Sequence, residues 1–106
     1  MTVEYIRYTI GFGKQAEFID AYALASKQLD SSEYCLSYEL TQCEEEPENF
    51  ILRIEWTSTE DHLNRFRKSQ EFMTFLGQVR PFFNNIAEMN HYGLTKVVKK
   101  NKAIVE

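Results

Sequence analysis

What most limits the fold of this chain is the order in which its hydrophobic period changes. Residues 3–10 are rich in β-branched and aromatic side chains and predict a strand, broken by Gly11 and Gly13. From Lys14 to Leu29 the period lengthens. Phe18, Tyr22, Ala25 and Leu29 recur at spacings of three and four, which gives a helix one apolar face. Asp30, Ser31 and Ser32 then supply turn chemistry. Residues 34–42 alternate again, with Tyr34, Leu36, Tyr38 and Leu40 on one side and Cys35, Ser37, Glu39 and Thr41 on the other. Residues 50–56 repeat the pattern, with Phe50, Leu52, Ile54 and Trp56 opposite Ile51, Arg53 and Glu55. The acidic, proline-containing stretch between them, Glu44 to Asn49, suits a solvated hairpin loop better than a metal site.

A second helical region starts at Thr57–Asp61, where Ser58 is placed to cap and Asp61 follows three residues later. It carries His62, Leu63, Phe66 and Arg67. Ser69 is placed to interrupt it and to cap a further segment through Phe72, Phe75, Leu76 and Val79, which Pro81 ends. Residues 85–93 read as a last strand, with Ala87, Met89 and His91 opposite Ile86, Glu88, Asn90 and Tyr92. The order strand, helix, strand, strand, helix, strand is the split βαβ pattern. It predicts an α+β, ferredoxin-like βαββαβ domain: a four-stranded antiparallel sheet with its helices on one face. Residues 1–93 form this domain. Residues 94–106 are a tail whose Val97, Val98, Ile104 and Val105 suit an extra strand, contacting a partner subunit.

The sheet pattern also predicts a partner. Val3 and Tyr5 lie on one side of the first strand, and Ile6, Tyr8 and Ile10 on the other, while Ile51 puts an apolar side chain on the second face of the third. A sheet apolar on both faces needs both covered, and the helices cover one. A second copy related by a two-fold axis is the simplest cover for the other, so a homodimer is expected.

Composition narrows the function classes. The 106 residues amount to one domain, and 43% hydrophobic residues suffice for a core. Net charge is −4, and the basic cluster Lys96, Lys99, Lys100 and Lys102 reads as a solvated tail, so nucleic acid is not an expected partner. No apolar run nears the roughly 18 residues of a membrane span, and no signal peptide is visible; a cytoplasmic protein is expected. Cys35 and Cys43 sit about 26 Å apart if both lie on one strand, too far for a disulfide, and they match no zinc spacing. No GxGxxG, P-loop, HExxH or CxxC motif is present, and no cofactor or metal is expected.

Taken in order, several segments resemble the antibiotic biosynthesis monooxygenase domain. They are Tyr34 to Leu40, Glu46 to Phe50, Ile51 to Trp56, Ser58 to His62, Ser69 with Phe72 and Phe75, and Met89 to Tyr92. The strand ending in Glu55 and Trp56, followed by a capped helix, is the most specific of these. The resemblance spans roughly residues 3–93. It implies a dimeric α+β barrel with a small pocket between sheet and helices in each subunit. Some members oxidise phenolic or quinol-like compounds with molecular oxygen, without metal or flavin. Others degrade haem, using an Asn on the first strand, a Trp at the end of the third and a haem-ligating His on the second long helix. Trp56 matches the Trp, but the other two positions are Ile6 and Phe75 or Leu76, so the resemblance argues against haem chemistry.

The expected function is therefore a cofactor-independent monooxygenase acting on a small phenolic or quinol-like aromatic. The alternative is a non-catalytic binding or interaction module whose pocket is filled by its own Phe side chains. Trp56 is expected to wall the pocket and stack on substrate, unless it is only core packing. His62 is a candidate general base, since histidine titrates near neutrality; the competing reading is a rim histidine. His91 is the alternative base, facing either pocket or dimer interface. Tyr22, Tyr38, Phe66, Phe72 and Phe75 are candidate substrate contacts, although a Phe stripe at helical spacing also describes plain core. Glu60, Asp61 and His62 are consecutive on a helix and cannot converge on one ion.

Overall fold

The computed structural model describes residues 1–99. The elements run β1 (Thr2–Thr9), α1 (Gln15–Asp30), β2 (Cys35–Gln42), β3 (Asn49–Trp56), α2 (Thr59–Asn64), α3 (Gln70–Val79) and β4 (Ile86–Gly93). Short 3-10 segments, Phe66–Lys68 and Arg80–Asn85, follow α2 and α3. The sheet order is β2-β3-β1-β4 with every neighbouring pair antiparallel. This is the α+β ferredoxin-like arrangement that the alternating periods predict, with helices over one face of the sheet.

Local chemistry fixes where the helices begin. Gly13 takes φ of 85°, a conformation few side chains tolerate, and so turns the chain from β1 into α1. The Ser58 side chain accepts a hydrogen bond from the Asp61 N–H at 2.9 Å and starts α2. Ser69 does the same for the Phe72 N–H at 3.1 Å and starts α3. Caps of this kind are worth about 1 kcal/mol each. The second helical region is thus two helices broken at the 3-10 segment, as Ser69 suggests. Pro81 sits within the 3-10 segment after α3, where its missing N–H is harmless.

The core lies between the sheet and the helices. Phe18, Tyr22, Ala25 and Leu29 are the buried residues of α1, as their spacing predicts. Phe50, Leu52, Ile54 and Trp56 are the buried residues of β3. Phe18 sits at the centre of an aromatic cluster, with ring centroids 4.7 Å from Tyr8, 4.9 Å from Phe50 and 5.1 Å from Phe82. Tilted and edge-on contacts of this sort add to what burial alone supplies.

Two β-bulges change the side-chain phase from the simple alternation. In β2 the register skips at Leu36, since Cys35 pairs with Trp56 and Ser37 with Glu55. Leu36 is 52% exposed, while Cys35 packs against the core beside Tyr34 and Tyr38. In β4 the skip falls at Ala87, because Tyr8 pairs with Ile86 and Arg7 with Glu88. The extra residue puts Ile86 on the same face as Met89 and His91, not opposite them. Both cysteines are free, and burial pushes the Cys35 thiol up to about 11.

Among the described residues, no helix lies over the other face of the sheet. It mixes Val3, Tyr5, Ile51 and Tyr92 with ion pairs from Arg7 to Glu88 and from Arg53 to Glu39 and Glu55. Residues 94–99 continue past β4 without a regular element, and Val97 and Val98 there are exposed. Ile104 and Val105, the rest of the predicted tail strand, lie outside the described residues. Among the described residues no helix is long and apolar enough to cross a membrane.

Candidate active site

The site is built where β1, β3 and β4 run under the 3-10 segment after α2. On β1, Glu4 shares its phase with Ile6, Tyr8 and Ile10, so the alternation turns a carboxylate into the core. The strand pairing sets His91 of β4 directly across from Glu4. Trp56 ends β3. The Ser58 cap then folds α2 back, so that His62 lies flat on the indole, with centroids 4.2 Å apart and planes 9° apart. Thr57 donates to Asp61 at 2.6 Å and Asp61 accepts from Arg65 at 3.0 Å, which pins the turn that carries His62.

Five polar groups meet here. The Trp56 indole N–H donates to Glu4 Oε1 at 3.0 Å. His62 Nδ1 lies 2.7 Å from His91 Nε2. Arg67 Nε donates to His62 Nε2 at 3.4 Å, and its guanidinium sits over the Phe72 ring at 5.9 Å. Glu4 Oε1 is 3.7 Å from His62 Nε2. Glu4 is 2% exposed and His62 3%, so water screens little between them. Burial raises the Glu4 carboxyl above its ordinary value, while the Trp56 bond and the His91 and Arg67 charges pull it partly back. Burial drives His62 the other way, down to about 3, helped by the positive charges of Arg67 and His91. His62 is therefore neutral across the physiological range, and its approach to Glu4 is not an ion pair.

Glu4, Trp56, His62 and Arg67 form the polar corner of a cavity of about 430 Å³. Its remaining wall is almost wholly apolar and includes Ile6, Ile54, Phe66, Phe75, Val79 and Met89. Tyr8 and Tyr22 add a second polar point, their hydroxyls bonded to one another. Burial pushes Tyr8 up to about 12, and burial with the neighbouring Tyr8 raises Tyr22, so both stay protonated.

Of the residues the sequence put forward, Trp56, His62, Tyr22, Phe66, Phe72 and Phe75 all line this cavity. His62 is fully buried and not at a rim. His91 does not line the cavity but contacts His62 behind it, so the two candidate bases are one hydrogen-bonded pair. Tyr38 does not line this cavity. It lies on β2, two strands from β1, in a separate groove of about 300 Å³ under α1, and its hydroxyl donates to Asp30 at 2.8 Å. The Phe side chains of α3 border the cavity without filling it. Ile6, Phe75 and Leu76, the positions compared with haem-degrading relatives, all line it and offer no iron ligand. Glu4 and Arg67 belong to the site although the sequence did not mark them. For Glu4 a signal existed: a lone carboxylate in phase with three apolar residues.

Glu4, His62 and His91 bring three donor atoms within 4.8 Å of one another. Two features oppose a cation there. Arg67 holds a fixed positive charge against His62. The 2.7 Å separation of the two histidine nitrogens is that of an N–H···N bond, whereas ligands on a tetrahedral metal sit about 3.3 Å apart.

The chain was compared with known proteins. The model of the antibiotic biosynthesis monooxygenase family matches residues 1–78. The uncharacterized Bacillus subtilis protein YczJ is 28% identical over 80 residues, covering 76% of this chain and 84% of the relative. Among solved structures, a proposed antibiotic biosynthesis monooxygenase from Bordetella bronchiseptica superposes with a TM-score of 0.73 at 21% identity, over 89% of this chain and 96% of its own. A variant of SnoaB, a cofactor-independent oxygenase from Streptomyces nogalater, gives a TM-score of 0.76 at 15% identity, over 93% and 97%. Likeness at these identities speaks for the fold. Glu4, Trp56, His62 and Arg67 fall within the matched stretch, and His91 falls beyond it. With that family's model matched over residues 1–78 of 106, the chain belongs to the antibiotic biosynthesis monooxygenase family.

Proposed function

We propose that the chain is a cofactor-independent monooxygenase that oxidises a small phenolic or quinol-like aromatic with molecular oxygen. The observation that carries this reading is one apolar cavity with a polar corner, Glu4, His62 and Arg67, set beside Trp56. Family membership and the oxygenase relative lend it support. An electron-rich phenol reduces oxygen itself once it is deprotonated, so the protein must supply a dry pocket, a proton acceptor and a cation near the phenolate. Glu4 and the His62–His91 pair are the acceptors and Arg67 is the cation. Trp56, Phe66, Phe72, Phe75 and Tyr22 hold the ring. One oxygen atom enters the ring as a quinone carbonyl, and the other leaves as water with the two hydrogens that the phenol O–H and C–H give up.

Oxygen uptake with a panel of quinols and anthrones tests this, with anaerobic incubations as controls. The wild type is expected to consume oxygen in step with product, and His62→Gln to slow turnover about 10²-fold. Absence of uptake across the panel would remove the enzyme reading in favour of a binding module, and full activity in His62→Gln would remove His62 from the proton path.

The proposed active form is a homodimer joined through the uncovered sheet face. Ile51, 37% exposed on that face, is a direct probe. In sedimentation runs the wild type is expected to behave as a dimer and Ile51→Glu as a monomer. A monomeric wild type would rule the pairing out.

A further inference from the structure

His62 Nε2 faces two groups with opposite requirements. The Arg67 N–H at 3.4 Å needs an acceptor there, while Glu4 Oε1 at 3.7 Å needs a donor. A neutral imidazole carries one ring proton and satisfies one of them at a time. With Arg67 satisfied, the proton is on Nδ1 and points at His91 Nε2, 2.7 Å away. With Glu4 satisfied, the proton is on Nε2, and Nδ1 accepts from His91 instead. Arg67 loses little in the exchange, because it keeps its place over the Phe72 ring. His91 is only half-buried and stands on an edge strand, so the chain of contacts leads from a sealed carboxylate to the margin of the sheet.

We propose that Glu4, His62 and His91 form a proton relay between the cavity and solvent, with Trp56 and Arg67 as positioning residues. Going outward, a substrate O–H gives its proton to Glu4. Once Glu4 Oε1 closes the 3.7 Å gap to His62 Nε2, it passes the proton there while the His62 Nδ1 proton moves to His91 Nε2. His91 then releases its Nδ1 proton to water. Each O–H or N–H bond broken is matched by one formed, no electrons are exchanged, and one proton leaves. The reverse sequence returns a proton to reduced oxygen. His62 suits the middle position because burial keeps it from holding a net charge, so it hands a proton on as it receives one. His91 lies beyond the stretch matched to the family, so the relay is read from this chain's own geometry. Its use in turnover rests on the monooxygenase reading; its existence does not.

The chain has two histidines, so ring-labelled protein shows only their four nitrogens in long-range ¹H–¹⁵N spectra. The relay predicts His62 in the Nδ1–H form at high pH. As His91 takes up a proton, His62 is expected to switch to Nε2–H while staying neutral. His91→Gln keeps an acceptor but takes no proton, and should abolish the switch. Arg67→Met should leave His62 in the Nε2–H form throughout. A His62 tautomer unmoved by protonation of His91, or an imidazolium at His62, would overturn the relay. With a quinol that the wild type oxidises, His91→Gln is expected to lower kcat about tenfold to hundredfold at unchanged KM, with recovery on adding imidazole. Unimpaired turnover would also overturn it. If the wild type oxidises no quinol, the enzyme reading falls alone, and the tautomer spectra decide the relay.

Discussion

Trp56→Ala is expected to lower the unfolding free energy by about 5 kcal/mol, most of what a small domain has. Two losses combine. Trp56 is 1% exposed and packs against His62 and Phe66, so truncation opens a hole in the core. It also removes the N–H that Glu4 accepts, leaving a buried carboxylate without that donor. Trp56→Phe separates the two in part: it keeps a six-membered ring, loses the N–H and gives up less volume than alanine, for an expected cost of about 1–3 kcal/mol. Urea unfolding of the three proteins checks this. Equal midpoints for wild type and Trp56→Phe would show that the bond to Glu4 carries little energy.

The second large effect is in acid. His62 is held at about 3 in the fold, against an ordinary value of 6.5. Between those values the unfolded chain takes a proton that the folded one refuses, so stability rises with pH. The contribution is complete above 6.5 and is lost as pH falls toward 3. From about pH 7 to about pH 4 the loss amounts to roughly 3 kcal/mol. Glu4 acts in the opposite sense. Its carboxyl is raised, so the folded state keeps a proton the unfolded chain releases, and its contribution is greatest in acid and fades as pH climbs through its folded value. His62→Phe, which keeps a ring on Trp56, is expected to lose about 3 kcal/mol less than wild type between the two pH values. Denaturant curves at both are the check, and parallel losses in the two proteins would refute the burial of a neutral His62.

The sequence carried the fold because its signals are local. The alternation of β1 and β3, the Phe18–Leu29 spacing of α1, and the Ser58 and Ser69 caps each depend on a few neighbouring residues. The aromatic wall was readable for the same reason, since Trp56, Phe66, Phe72 and Phe75 belong to patterns that must face inward. What escaped depends on contacts between distant elements. His62 and His91 are 29 positions apart, and only the β1–β4 register together with the Ser58 turn brings their rings into contact. The bulges at Leu36 and Ala87 have no marker in residue type, so the faces of both edge strands came out partly wrong. Tyr38 has the right phase but the wrong strand, because sheet order cannot be counted from alternation. Glu4 was the readable omission: a lone acid in an apolar phase must be either paired or functional.

The extra residue at Ala87 has a consequence for how this scaffold can change. Downstream of it, Met89 and His91 point toward the helices, while Glu88, Asn90 and Tyr92 point away. Losing that residue forces either the start or the end of the strand to trade faces. In the second case a carboxylate, an amide and a phenol would stand where a thioether and an imidazole now do. A single-codon deletion could thus rewrite the chemistry at one side of the chamber in one step, with no residue there having mutated.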